Sequence, residues 1–119
     1  MTLRVRRSVL PVCFNAVLIA KIVKTGRPFS AFSPGEYLGT ASVTGAAKQL
    51  KMPIFVTSAS NSAEIAEARA ILAASPGTDK VQFVPKSGVH GASTLREDTN
   101  RAGSAENWAA VEAFLSRFK

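Results

Sequence analysis

Residues 52–85, MPIFVTSASNSAEIAEARAILAASPGTDKVQFVP, constrain the fold more than any other stretch. Ile54, Phe55 and Val56 are strong β-formers, and Pro53 is tolerable at a strand start. Asn61 can cap a following helix, with Glu64 three residues on as in a capping box. Ile65, Ala68 and Leu72 recur on one face of that helix, and Pro76-Gly77 stops it. Lys80 to Pro85 then reads as a second strand. Two strands joined by a helix cannot form a hairpin; they pair in parallel through a crossover.

The flanks repeat the alternation. PFSAFSPG is a short strand ended by Pro34 and Gly35. At the other end, SAENWAAVEAFLSRFK predicts a terminal helix with Ser104 as N-cap, Trp108, Val111, Leu115 and Phe118 on one face, and Phe114 beside them. Strand, helix, strand, helix predicts an α/β fold: a three-layer sheet of mainly parallel strands with crossover helices. There is no internal repeat and no low-complexity segment.

The chain divides near residue 30, into a basic, apolar segment 1–28 and an α/β unit 29–119. At 119 residues and 46% apolar content it has room for one modest core. The net charge is +7, unevenly spread. Arg4, Arg6, Arg7, Lys21, Lys24 and Arg27 precede Glu36, the first acid, and the remainder carries nine basic and eight acidic residues. No specific nucleic-acid face is therefore expected. A basic N-terminal arm on an acidic partner is the alternative function, that of a small non-enzymatic binding protein. Val9 to Ala20 has the outline of a signal sequence, but Leu18 sits where a small residue is wanted and Pro11 and Asn15 interrupt the run. The stretch is also shorter than the ~20 residues a membrane helix needs. A cytoplasmic location is the expectation, with export as the alternative. The competing reading is a buried strand or helix with Val17, Leu18, Ile19, Ile22 and Val23 in the core.

His90, the sole histidine, lies in KSGVHGAST just after the second strand. Imidazole titrates near neutrality, so it can accept and return a proton within one turnover. The plainer reading is a loop histidine bonded to backbone. With one histidine and one cysteine, Cys13, no structural zinc site can close, and neither a metal nor a cofactor is expected.

Residues 28–119 resemble the C-terminal half of an α/β-hydrolase, closest to the dienelactone-hydrolase-like branch. The resemblance rests on AFSPGEYL at a strand end, KMPIFVTSASNSAEIAEARAIL as strand, acid loop and helix, KVQFVPKSGVHGAST as last strand and histidine loop, and ENWAAVEAFL as closing helix. It implies hydrolysis of carboxylic esters through a serine nucleophile, a histidine base and an orienting acid, in that chain order. His90 matches the family base. The family acid falls on Asn61 or Ser62, neither of them acidic; Glu64 is a candidate substitute, with helix N-terminal stabilisation as its plainer role. No G-x-S-x-G occurs in the chain, and GTASVTG lacks its spacing. Ser33, Ser58, Ser60 and Ser93 read as turn or strand-end serines, Cys13 as a buried thiol, and Lys86 as a solvated charge.

The expectation is thus a hydrolase-like fragment, its nucleophile-bearing half lost by truncation or a frame shift near residue 30, and inactive alone. Its substrate, if active, is a small ester-like molecule. A half sheet leaves an edge through which copies could associate, and a membrane partner is not expected.

Overall fold

A computed structural model of the chain describes residues 9–10, 27–35 and 42–118. The elements run β1 (Val9–Leu10), β2 (Phe29–Phe32), α1 (Ser42–Ala47), β3 (Ile54–Thr57), α2 (Ser62–Ala74), β4 (Lys80–Phe83), a 3-10 turn at Gly91–Leu95, α3 (Ser104–Leu115) and a last 3-10 turn at Ser116–Phe118. All four strands are parallel, and their order across the sheet, β1-β2-β3-β4, follows the chain. The protein is a small mixed α/β domain, as the strand–helix alternation predicts.

Register decides what each face buries. Ser30, Phe55 and Val81 are aligned across the sheet, as are Phe32, Thr57 and Phe83. These residues share a face, and the intervening Ala31, Ile54 and Val56 point the other way. On the second face Ala31, Ile54 and Val56 pack against Val43, Ala46 and Ala47 of α1, Leu50 and Met52 beyond it, and Ala68 and Ile71 of α2. On the first, Phe32 and Phe55 pack against Leu95 and against Val111 and Phe114 of α3. Helices therefore cover both faces, which a parallel sheet requires.

Strand β4 is an edge and carries polar residues where β3 has apolar ones. Its Lys80 ammonium donates to the carbonyls of Leu72 (3.2 Å) and Ser75 (2.9 Å), at the end of α2. These are the carbonyls a helix terminus leaves unpaired, and a cation suits them. Gln82 Nε2 donates to the Ile65 carbonyl at 3.0 Å.

Several expectations are corrected. Helix α1, made of SVTGAA, lies where none is predicted. Strand β4 ends at Phe83 and not at Pro85. Ala68 and Ile71 form the buried stripe of α2, while Ile65 and Leu72 are half-buried. In α3 the buried positions are Asn107, Val111 and Phe114. Trp108 and Leu115 are half-buried there, and Phe118 is exposed in the final turn. The helix is rotated because Asn107 is drawn inward to bond the carbonyls of Ser87 (3.0 Å) and Gly103 (2.9 Å). Its N-cap is Gly103, not Ser104. A Cβ at Gly103 would lie 2.0 Å from the Ser87 oxygen, so no larger residue fits that junction. Cys13 and the apolar positions from Val17 to Val23 lie outside the described residues. Among the described residues no helix is long and apolar enough to cross a membrane.

Candidate active site

In parallel register, Phe32, Thr57 and Phe83 end their strands side by side, so the segments that follow all emerge at the carboxyl end of the sheet. Three side chains meet there, from the end of β2, the first turn of α2 and the loop after β4.

Asn61 is the N-cap of α2, and its side chain accepts the Glu64 N–H at 2.9 Å. The cap leaves the Glu64 side chain pointing back over the sheet edge. Carboxylate oxygen Oε2 accepts from the Ala59 N–H (2.9 Å) and the Ser33 hydroxyl (2.9 Å). The other oxygen, Oε1, makes a short contact with His90 Nδ1. The Glu64 side chain is 17% exposed and that of His90 48%, so the carboxylate is sheltered while the imidazole faces solvent.

This arrangement fixes protonation. Burial raises the Glu64 pKa, but the hydrogen bonds from His90, Ala59 and Ser33, together with the charge of His90, outweigh it and hold the carboxyl below its ordinary 4.5. The ionised carboxylate can only accept, so the contact places an imidazole proton on Nδ1.

The histidine loop is pinned along its length. Ser60 Oγ, from the loop after β3, bridges it, donating to the Pro85 carbonyl (3.3 Å) and accepting from the Gly88 N–H (2.6 Å). Asn100 donates to the carbonyls of Ser87 (3.1 Å) and Thr94 (3.0 Å). Gly91, directly after the histidine, has a φ of 75° and gives its N–H to Ser33 Oγ at 2.9 Å.

Of the expected site residues, His90 and Glu64 are brought together. Asn61, the expected equivalent of the acid, caps the helix, and the carboxylate beside the imidazole is that of Glu64, three residues later. Glu64 thus does more than stabilise the helix N-terminus. Ser58 Oγ bonds the Ala59 carbonyl at 3.0 Å, and Ser60 is committed to the loop. Ser93 lies in the 3-10 turn, where its carbonyl accepts from the Arg96 N–H at 3.0 Å. Lys86 is exposed, and its backbone N–H donates to Glu106 at 2.8 Å.

Ser33 is the strand-end serine the sequence predicts, but its contacts go beyond those of a turn residue. It is 1% exposed and has a φ of 53°, in the left-handed region that a non-glycine residue occupies at a cost of about 1–3 kcal/mol. Its signal was its place between a strand and Pro34-Gly35, which also fits an ordinary turn. Among the described residues no three His, Cys, Asp or Glu side chains cluster to hold a metal ion. An open cleft of about 260 Å³ lies elsewhere, along β4 and α3, lined by Phe55, Val81, Phe83, Phe114 and Arg117 among others.

Comparison with protein-family models, curated proteins and solved structures finds no match to the chain.

Proposed function

We propose that residues 28–119 carry the base and acid of an ester-cleaving site of the α/β-hydrolase kind, closest to the dienelactone-hydrolase-like branch, with His90 as general base and Glu64 as its orienting acid. The observation that carries this reading is the contact of Glu64 with His90 Nδ1 at the carboxyl end of a parallel sheet. A carboxylate in that position keeps the ring in one tautomer and stabilises the imidazolium that forms when Nε2 takes a proton.

In the complete reaction of such a site, Nε2 accepts the proton of a hydroxyl as its oxygen bonds the ester carbonyl carbon. It then returns that proton to the departing alkoxide as the C–O bond breaks. This chain has no G-x-S-x-G, and the hydroxyls of Ser33, Ser58 and Ser60 are committed elsewhere. Acyl-enzyme turnover is therefore assigned to a nucleophile that these residues do not supply. What His90 retains is the ability to draw a proton from water attacking an activated ester.

Hydrolysis of 4-nitrophenyl acetate by the full chain tests this. His90→Ala should reduce the rate to that of a histidine-free control, and Glu64→Gln should reduce it less. A His90→Ala protein as fast as the parent would refute the assignment of the base. A fluorophosphonate probe should leave the serines unlabelled; stoichiometric labelling would show that the chain holds its own nucleophile.

A further inference from the structure

Resting on the reading of Glu64 and His90 as an acid–base pair, we propose that Ser33 is its positioning residue: one hydroxyl fastens both the Glu64 carboxylate and the histidine loop to the end of β2. The serine Oγ has one proton and two lone pairs. The proton goes to Glu64 Oε2 at 2.9 Å, and a lone pair receives the Gly91 N–H at 2.9 Å. Gly91 is bonded directly to His90, so the same oxygen sets the carboxylate and the backbone that carries the imidazole. Ala59 N–H, at 2.9 Å, completes the seat of Oε2 and leaves Oε1 aimed at the ring.

Backbone geometry supports the assignment. A φ of 53° lies in the left-handed region, which a serine adopts only at a cost, and Ser33 is held there 1% exposed with its proton directed at a carboxylate. Glycine would take this φ without strain. What serine adds is the hydroxyl, and the hydroxyl holds the pair.

His90 is the only histidine, so every imidazole signal from the full chain belongs to it. Proton NMR of the parent should show a low-field, hydrogen-bonded Nδ1–H. In Ser33→Ala the exchange of that proton with water should rise about tenfold, the equivalent of one net hydrogen bond, and the Glu64 titration should move upward. Ser33→Gly removes the hydroxyl and relieves the backbone, so it provides a folded comparison if the alanine variant is unstable. A general loosening would speed exchange across the sheet; a positioning role changes the imidazole signal and the Glu64 titration while β3 amides stay protected. Unchanged imidazole exchange in folded Ser33→Gly would overturn the role of Ser33 alone. Absence of the low-field signal in the parent would overturn the acid–base pair itself, and Ser33's role with it.

Discussion

The carboxyl end of the sheet and the cleft beside β4 are built on opposite principles. At the first, Ser33, Glu64, His90 and Gly91 meet through directional bonds, each group answering another from a distant part of the chain. In the second, Phe55, Val81, Phe83 and Phe114 meet through area alone, with the Phe55 and Phe114 ring centroids 5.6 Å apart and the rim open to solvent. The difference separates stability from chemistry. Apolar packing carries most of the folding free energy without a specific geometry, whereas the polar cluster adds little net energy but fixes atoms to within a hydrogen bond.

Four substitutions test that division, in descending order of effect. Phe55→Ala empties the floor of the cleft and should cost about 3–5 kcal/mol in urea unfolding. If Phe55→Ala still folds, its His90 signal should be unchanged; a shifted signal would mean that the two regions are coupled. Glu64→Gln should cost about 1.5–3 kcal/mol at neutral pH, the range for hydrogen bonds to a charged group. Its pH dependence has a definite sign. The folded pKa of Glu64 lies below its ordinary 4.5, so the carboxylate's contribution is complete above 4.5 and is lost as pH falls through the folded value. The stability gap between parent and Glu64→Gln should therefore close in acid, and a gap constant from pH 6 to pH 3 would contradict the pairing.

Asn61→Ala removes the cap of α2 and should cost about 1 kcal/mol. It should leave the tautomer of His90 in place, which distinguishes a cap from an acid. Arg117→Ala breaks an exposed pair with Asp79 (2.6 Å) and the stacking of the guanidinium on Phe114 and Phe118. The ion pair accounts for about 0.2–1 kcal/mol, and salt should reduce the effect of the substitution.

The sheet is legible where apolar runs are bounded by proline or glycine, and β3 (Pro53), α2 (Pro76-Gly77), β4 (Pro85) and α3 (Gly103) each have such a boundary. Helix α1 was not, because SVTGAA joins β-branched residues and a glycine, a poor helix former by propensity. Its helicity comes from packing Val43, Ala46 and Ala47 on the sheet, which no local window contains. The face of α3 departs from the expected one because an asparagine occupies a core position, its amide N–H groups donating to carbonyls of the histidine loop and the helix start.

At the site, His90 stood out by being single. Counting along the chain from Pro53 placed the acid on the cap, since a linear count carries no information on side-chain reach. Glutamate one turn later spans the gap that asparagine does not. The place of Ser33 at a strand end is legible locally, but its partners are not, because they lie 31 and 58 positions away.

Strand order has a consequence for how the molecule assembles. Because the order follows the chain, every pairing closes a loop of some two dozen residues, and no strand pair is joined by a hairpin. The closure entropies are nearly equal, so no single pairing is favoured as the nucleus on length alone. The bond from Ser33 to Gly91 ties together the segments that follow β2 and β4, and its closure cost is small only after β3 has docked between those strands. That bond therefore reports the joint assembly of β2, β3 and β4 and not any one pairing.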